Sequence, residues 1–309
     1  MKRRRCLSIL AGATAAALSG CGNRRSVEVR KWRGVLFNAE VDLAIHDLPA
    51  REAEGLIAEC VSEMQRLEQM FSLYLPDSVL CTLNREGRVA APPAEFVELV
   101  AEALRIAGET KGAFDPTVQP YWRWLRETVE EGKAIEEREQ ARELAKVGYQ
   151  MVRCRADEVQ YDRAGMAMTL NGIAQGWITD RACALLRRAG AEHCLVNLGE
   201  FYAIGTQPSG RDWVVGIRNA EGQEVSLREK ALAVSSGAGL YFGTGEGVNH
   251  LINPRTGGCA EDRRIVAVTA ETACVADALS TACGVLGDEE AERLVRSWDG
   301  ADLLILRQS

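Results

Sequence analysis

The central stretch of the chain, residues 167–190, changes from a short apolar run into a helical pattern. Residues 167–170 predict a short strand, and Gly172 and Gly176 bracket a predicted tight turn. Apolar residues then recur with the spacing of one face of an amphipathic helix that ends before Gly190. These residues are Ile178, Ala182, Leu185, Leu186 and Ala189. An anion such as phosphate could bind where this helix begins, although an ordinary packed strand–turn–helix fits the pattern equally well.

Other parts of the chain carry further helical and strand-like patterns. The predicted helices are 51–71, a short helix after Asp77-Ser78, 94–111, the highly charged 126–144, and 272–286, expected to be the last. The predicted strands are a pair within 27–45 that turns near Gly34, then 194–198, 201–204, 213–217, 231–234, 265–269 and 301–306. Glycines and polar residues separate these strands, as is typical of antiparallel pairing. The mixture predicts an α+β fold rather than a doubly wound α/β fold.

The first 26 residues have the pattern of an export signal rather than of a folded element. Residues 2–5 are basic, and the apolar run that follows is too short to span a bilayer. Leu18-Ser19-Gly20-Cys21 resembles a bacterial lipoprotein cleavage site. We therefore expect residues 1–20 to be a signal peptide, Cys21 to carry lipid, 21–26 to be a tether and 27–309 to form the folded domain. An uncleaved anchor and a simple secretory peptide are alternatives, and both the general secretory and the twin-arginine route fit.

Charge and cysteine usage narrow the classes of function. The full chain has a net charge of −7, and without residues 1–20 it has 33 basic and 44 acidic residues, a net charge of −11. A surface this acidic argues against nucleic acid as a partner. The eight cysteines from Cys60 to Cys283 contain no CxxC pair, which argues against a zinc site. We expect them to lie mainly in the core, although an oxidising compartment could pair some of them.

Asp277 and Thr281 form the first candidate for chemistry. They are four residues apart on a predicted helix, so both oxygens lie on the same helix face. An aspartate among alanines and leucines is costly to bury unless a positive charge meets it. A hard cation with oxygen ligands, such as Mg²⁺, would meet it, with water and phosphate at the remaining positions. The alternative is a partly exposed aspartate that is hydrogen-bonded to Thr281 or to a turn.

The second candidate is His250, within the polar run 248–257. Of the three histidines in the chain, only this one lies in a run of polar residues ending in a Pro-Arg-Thr-Gly turn. A histidine accepts a proton near neutral pH and could activate a hydroxyl nucleophile. Arg255 could bind a phosphate or fix a carboxylate. A purely structural histidine is the alternative.

Taken together, seven short segments resemble the ApbE family of FAD:protein FMN transferases in their order and in their residues. The segments are 71–78 with Leu83-Asn84, 112–118, 170–176 with Asp180, 196–199, 235–237, 250–257 and 276–281. They extend over about 210 residues and therefore cover essentially the whole of the expected mature chain.

The chain departs from the family pattern at two places. Members usually carry Met-Gly-Thr near the N-terminus, where this chain has Arg33-Gly34-Val35. The central turn usually reads Gly-Gly-Ile-Ala-Lys-Gly. This chain has Asn171 in place of the first glycine and Gln175 in place of the lysine. The change to Gln175 removes a positive charge from the expected phosphate site.

The resemblance implies an α+β ApbE-type fold, one catalytic unit with FAD in a central cleft. It implies transfer of FMN from FAD to a threonine or serine hydroxyl of an acceptor flavoprotein, with release of AMP. Mg²⁺ would be held by Asp277, Thr281 and the main-chain oxygen of Ala174, and Asp277 would thereby act in catalysis together with the base His250. The implied FAD contacts are Tyr74, Ala113, Phe114, Asp115 and Asn171.

The implied partners are flavoprotein subunits of membrane electron-transport complexes, such as Na⁺-translocating quinone reductases or Rnf-type complexes. The implied location is the outer face of a bacterial membrane, to which lipid on Cys21 would anchor the protein. A Mg²⁺-dependent FAD pyrophosphatase and a non-catalytic FAD-binding lipoprotein are the alternative functions.

Overall fold

The computed structural model describes residues 29–36, 39–243 and 247–308. The expected signal peptide, Cys21 and the tether lie outside these residues. The helices are α1 Ala50–Phe71, α2 Val79–Glu86, α3 Ala94–Glu109, α4 Gln119–Glu130, α5 Glu137–Leu144, α6 Ala174–Arg188, α7 Ala273–Gly284 and α8 Asp288–Arg296, with short 3₁₀ turns at Pro116–Val118, Tyr149–Met151 and Gly237–Gly239. The strands are β1 Arg30–Leu36, β2 Ala39–Ile45, β3 Arg88–Ala90, β4 Val152–Arg155, β5 Glu158–Tyr161, β6 Cys194–Asn197, β7 Phe201–Ile204, β8 Trp213–Gly216, β9 Glu224–Leu227, β10 Lys230–Ser236, β11 Arg264–Ala270 and β12 Asp302–Arg307.

A seven-stranded antiparallel sheet organises the molecule. Its strand order is β1-β2-β6-β7-β10-β11-β12. Helix α7 packs on β10 and β11, α6 packs on α7 and on β7, and α1 packs on α6 and on β1. The apolar side chains between these helices and the sheet form the main core. The β8–β9 hairpin contributes Trp213 and Leu227 to a second apolar cluster with Phe201 and Leu232.

Two smaller units flank this body. Strands β3, β5 and β4 form a three-stranded sheet beside α3. Helix α4 buries Tyr121 and Leu125 against Phe242 and Ile252, which belong to the long connection between β10 and β11. This arrangement brings α4 and the His250 segment to the same side of the molecule.

The α+β fold is confirmed, and so are the helices with a continuous apolar face. The helices expected at 51–71, 94–111 and 272–286 correspond to α1, α3 and α7, each within two residues at its start. Ser78 is the N-cap of the short helix α2 and accepts a hydrogen bond from the Cys81 N–H at 2.9 Å. Gly190 follows α6 with a φ of 81°, a backbone conformation that favours glycine.

The turn expected near Gly34 is a wrong prediction. Gly34 lies inside β1 and pairs with Val41 of β2, so the connection falls at residues 37–38, outside the described residues. The Trp32 ring lies over Gly34, because a Cβ there would lie 2.3 Å from the ring. Residues i and i+2 share a face of a strand, and the indole covers the position.

The strand expected at 167–170 is also wrong. These residues are described, yet they join none of the sheets. The Asn84 side chain takes the place of a neighbouring strand, because its Nδ2 donates to the Met168 carbonyl at 2.8 Å and its Oδ1 accepts from the Met168 N–H at 2.7 Å. The Thr169 N–H donates to the Pro116 carbonyl at 2.7 Å. A long-range amide side chain therefore satisfies the backbone, and local pattern cannot reveal it.

Two helical predictions need correction. The charged segment 126–144 contains parts of two helices, α4 and α5, with a break at residues 131–136. Helix α7 is followed by α8, which pattern analysis missed because it is strongly charged and buries only Ala291 and Val295.

Gly176 allows helices α6 and α7 to approach each other closely. The structure places Gly176 in the first turn of α6 rather than in a loop. A Cβ at this position would lie 2.2 Å from the Ala273 carbonyl oxygen at the start of α7, and backbone atoms cannot move aside as a flexible side chain can. Glycine is therefore required here for close packing, not for a turn.

We predict that Gly176→Ala destabilises the protein by about 2–4 kcal/mol, since the added methyl group forces α6 and α7 apart. Gly55→Ala in α1 is the matched control: no atom lies within 4 Å of its added Cβ. That control should stabilise the protein by about 0.5–1 kcal/mol. Chemical denaturation of both variants measures the difference, and equal effects would refute the packing argument.

Candidate active site

One cavity brings most of the predicted site residues together. It has a volume of about 910 Å³ and lies between the ends of β6 and β10, the start of α6, helix α7, helix α4 and the loop after α3. Eight of the nine predicted residues line it, namely Tyr74, Ala113, Phe114, Asp115, Asn171, His250, Asp277 and Thr281. Ala174 does not line it. A cavity of this size accommodates a dinucleotide-sized ligand.

Asp277 is a buried carboxylate at the bottom of this cavity. It lies in the second turn of α7 and is only 4% exposed. Its Oδ2 accepts a hydrogen bond from the Gly176 N–H at 3.1 Å. Burial raises the pKa of Asp277 to about 7, and the nearby charge of Asp180 adds to this rise. Its environment within the described residues supplies no cation, so a carboxylate here calls for a positive charge from a ligand.

Thr281 lies one turn further along α7, beside the turn that precedes α6. A Cβ at Gly172 would lie 2.8 Å from Thr281 Oγ1 and 3.5 Å from the Phe114 ring. The backbone of Gly172 is therefore in direct contact with Thr281. Ala174, by contrast, is buried as the first residue of α6. The prediction that Ala174 provides a metal ligand stays a prediction, and Gly172 is the residue of this turn that lies against Thr281.

The loop after α3 is held rigid by Asp115. The Asp115 carboxylate accepts hydrogen bonds from the Thr117 N–H at 2.8 Å, the Thr117 hydroxyl at 2.6 Å and the Tyr149 N–H at 3.0 Å. Burial raises the pKa of Asp115, although these three bonds favour the ionised form. Ala113 and Phe114 precede it and are buried at the cavity wall. The hydrogen-bonding capacity of Asp115 thus serves the loop itself, and its predicted contact with FAD stays a prediction.

His250 lines the cavity from the long connection between β10 and β11. Its Nδ1 lies 3.2 Å from the Leu240 carbonyl oxygen, and its backbone N–H donates to the same oxygen at 3.0 Å. Because a carbonyl can only accept, Nδ1 carries the proton and the neutral ring keeps its lone pair on Nε2. Burial lowers the pKa of His250, which keeps the ring neutral at pH 7. A neutral imidazole with a free Nε2 can accept a proton.

The remaining predicted residues lie at the rim or outside the cavity. Tyr74 is 45% exposed, and Asn171 is exposed with its N–H bound to Thr169 Oγ1 at 3.2 Å. Arg255 does not line the cavity; both of its terminal nitrogens lie 3.1 Å from Glu290 of α8. Arg255 therefore fixes a carboxylate, one of the two roles considered for it.

Glu200, which the sequence pattern did not indicate, is a further carboxylate of the cavity. Glu200 follows β6 and lines the cavity, and its carboxylate accepts the Val234 N–H. Burial raises the pKa of Glu200 well above its ordinary value, and the charge of Asp277 raises it further. Glu200 is half-buried and lies in the short connection between the apolar strands β6 and β7, and a glutamate at that place was the one signal in the sequence.

Three buried side-chain atoms on residues that line the cavity make no hydrogen bond within the described chain, although Arg126 Nε lies 3.9 Å from a carboxylate oxygen of Glu130. They are Arg126 Nε, Gln175 Nε2 and Ser236 Oγ. All three can donate hydrogen bonds, and a buried donor without an acceptor costs about 1–3 kcal/mol. The cavity therefore suits a ligand that is rich in acceptor oxygens, such as a diphosphate or a flavin.

Three further observations concern metal-binding groups, cysteines and membrane-spanning helices. Within the described residues, no group of three or more His, Cys, Asp or Glu side chains is arranged to hold a metal ion. A cation at Asp277 would therefore depend on neutral oxygens and on the ligand. The eight cysteines are free thiols, five of them buried, as expected for core residues. Among the described helices, none combines the length and hydrophobicity needed to cross a membrane.

Comparisons with known proteins identify relatives that align over most of the chain. The FAD:protein FMN transferase of Treponema pallidum is 31% identical over 94% of this chain and 87% of its own length. The Escherichia coli K12 enzyme of the same name is 26% identical over 92% of this chain and 88% of its own.

Solved structures show the same fold. The apo flavinyl transferase ApbE of Pseudomonas stutzeri superposes with a TM-score of 0.77 at 24% identity, covering 91% of this chain and 92% of its own. The ApbE protein of Thermotoga maritima gives 0.75 at 27% identity, covering 91% and 97%. The sequence model of the ApbE family matches residues 35–305. The chain therefore belongs to the ApbE family.

Proposed function

We propose that this protein is a Mg²⁺-dependent FAD:protein FMN transferase that moves FMN onto a threonine or serine hydroxyl of an acceptor flavoprotein. The observation that carries the proposal is that Asp277, Thr281 and His250 line one cavity of about 910 Å³. The names of the curated relatives support it, because they are FAD:protein FMN transferases that align over most of their length.

In this reaction His250 is the general base. Its Nε2 accepts the proton of the acceptor hydroxyl, whose oxygen bonds to the phosphorus of the FMN half of FAD. The bond from that phosphorus to the bridging oxygen breaks, and AMP leaves with that oxygen and its electron pair. The hydrogen bond between Nδ1 and the Leu240 carbonyl orients the ring and fixes its tautomer.

The residues present fit a divalent cation. Asp277 is a buried carboxylate, Thr281 offers a hydroxyl, and the turn at 172–174 offers main-chain oxygens, among which Gly172 lies against Thr281. When bound, Mg²⁺ would neutralise the diphosphate and the charge that develops on AMP. Oxygen ligands of this kind are the ones that Mg²⁺ prefers.

The function is tested by incubating the protein with FAD, Mg²⁺ and an acceptor domain that contains the threonine. Covalent flavin on the acceptor, together with AMP, is the expected result. Free FMN with no labelled acceptor would instead indicate a pyrophosphatase, and bound but unchanged FAD would indicate a binding protein. Either of these two results would refute the transferase proposal.

We predict that His250→Ala slows transfer by about 10²–10⁴ and leaves the Kd for FAD nearly unchanged, since a base is lost and not a binding group. His193→Ala is a matched control, because its Nδ1 also bonds a main-chain carbonyl, that of Thr206 at 2.7 Å, outside the cavity. This control should transfer at the normal rate. A collapse of FAD affinity in His250→Ala would show that the residue serves binding or folding.

Asp277→Ala should abolish detectable transfer, because it removes the charged ligand of the cation. Thr281→Ala should be milder and should recover at higher Mg²⁺, since water can replace a neutral ligand. Titration of Mg²⁺ against transfer rate in both variants measures this. Full activity of Asp277→Ala at ordinary Mg²⁺ would refute the metal site.

Because of Asp277, the free energy of unfolding of the protein should depend on pH in the absence of metal. Because the folded pKa of Asp277 is raised to about 7 from 3.8, the folded state holds a proton that the unfolded state has released between these values. The free energy of unfolding therefore falls as the pH rises through this window. Asp277→Asn removes the penalty, so its advantage over the unaltered protein should grow from pH 4 to pH 8 in denaturant titrations. Mg²⁺ with FAD should reverse the order.

We further propose that the protein acts at the outer face of a bacterial membrane, anchored by lipid on Cys21. The acceptors would be flavoprotein subunits of membrane electron-transport complexes. The basic start, the short apolar run and the Leu-Ser-Gly-Cys sequence support this location.

We predict that mass spectrometry of the membrane fraction finds Cys21 as the lipid-bearing first residue. Cys21→Ser should be released or should stay uncleaved, because the acceptor thiol is lost. Detection of an intact Met1, or of an unmodified Cys21 in the membrane, would refute lipidation.

A further inference from the structure

Three contacts in regular steps join α7 to α6 and to the turn before it. Asp180 lies against Ala273, Gly176 lies against Asp277, and Gly172 lies against Thr281. Along α7 the contacting residues are four apart, at 273, 277 and 281. Their partners are also four apart but run in the opposite direction, at 180, 176 and 172. This is the pattern of two antiparallel segments in a single register, with one contact in each helical turn.

Asp180 makes the strongest of these contacts. Its Oδ1 accepts the Ala273 N–H at 2.8 Å, and its Oδ2 accepts the Cys274 N–H at 2.9 Å. Two bonds from one carboxylate to consecutive N–H groups fix α7 both along its axis and in rotation. A negative charge at a helix N-terminus is also favoured by the helix dipole.

The opposite end of α7 is held in a complementary way. The buried Arg264 of β11 donates from Nη1 to the Cys283 carbonyl at 2.6 Å and to the Gly284 carbonyl at 3.2 Å. A positive charge at a helix C-terminus is favoured for the same reason. The helix that carries Asp277 is thus fixed at both ends by side chains of neighbouring elements.

We infer that Asp180 is a positioning residue of the site: it sets the register of α7 against α6, so that Asp277 and Thr281 meet the 171–175 turn. The inference rests on the proposed cation site. Asp180 does not line the cavity, so it would act through α7 and not by direct contact with a ligand. Without it, α7 keeps its own hydrogen bonds but loses the bonds that hold it in register with the turn.

The test compares Asp180→Ala and the milder Asp180→Asn with Thr272→Ala. Thr272 is the N-cap of α7, and its hydroxyl accepts the Val275 N–H at 3.3 Å. Its loss weakens the same helix end without touching α6. Mn²⁺ binding in the presence of FAD is measured by electron paramagnetic resonance, and Tm is measured alongside.

We expect Asp180→Ala to weaken Mn²⁺ binding by about 10–100-fold, the usual effect of losing a group that orients a metal ligand. Asp180→Asn keeps one acceptor oxygen and should lose less. Thr272→Ala should lower Tm by about 2–4 °C with Mn²⁺ affinity unchanged.

Equal Mn²⁺ affinity in the unaltered protein and both Asp180 variants would overturn the inference and leave the proposed function intact. So would a loss in Thr272→Ala as large as that in Asp180→Asn, since any loosening of α7 would then suffice. Failure of the unaltered protein to bind Mn²⁺ with FAD would refute the cation site, and the inference with it.

Discussion

The backbone contact between the start of α6 and the start of α7 is the constraint on which the site depends. It needs a residue without a side chain at Gly176, because the Ala273 carbonyl occupies the place of a Cβ. Once the two backbones approach this closely, the Gly176 N–H reaches the Asp277 carboxylate and Gly172 reaches Thr281. The close packing of α6 against α7 therefore also brings the residues of the site together.

The cavity carries a charge imbalance that the chain does not neutralise locally. Asp277 is buried and Glu200 is half-buried, and removal from solvent raises the pKa of each. Their hydrogen bonds come from backbone N–H groups, which stabilise a carboxylate less than a cation does. The free protein therefore bears a cost at these positions that a bound cation would remove. A site of this kind is stabilised by its ligand and is not optimised for the stability of the free chain.

The parts of the fold that could be predicted are those whose information is local. Helices α1 and α3 have unbroken apolar faces, and β7 is a short run of buried residues between polar breaks. The prediction failed where distant residues decide the structure. Met168 is held by the Asn84 side chain from another part of the chain, and Gly34 lies within β1 under the Trp32 ring and not in a turn.

The residues of the candidate site likewise divide into those that local sequence indicates and those that distant residues determine. Asp277 and Thr281 could be paired from sequence because helical spacing is a local rule. Glu200 could not, since its environment depends on β10 and α7, which meet it only in the folded state. Asp115 was indicated by sequence, but its contacts in the structure are not with a ligand site. It belongs to a family motif, yet its oxygens are used by Thr117 and Tyr149, so a motif residue can act by shaping the loop.

Gln175 connects the charge imbalance to the way this chain departs from its family's usual sequence. Its side chain lies against Gly199, whose Cβ would meet Gln175 Nε2 at 2.2 Å, and Glu200 is the next residue. A lysine at this position would bring an ammonium group near a buried carboxylate, whereas the amide brings none. The cations that line the cavity within the described chain are Arg85, Arg123 and Arg126, on α2 and α4. None comes from α6, α7 or β6, the elements that carry or precede Asp277 and Glu200, so under the proposed function the cation that the ligand brings would supply the missing positive charge.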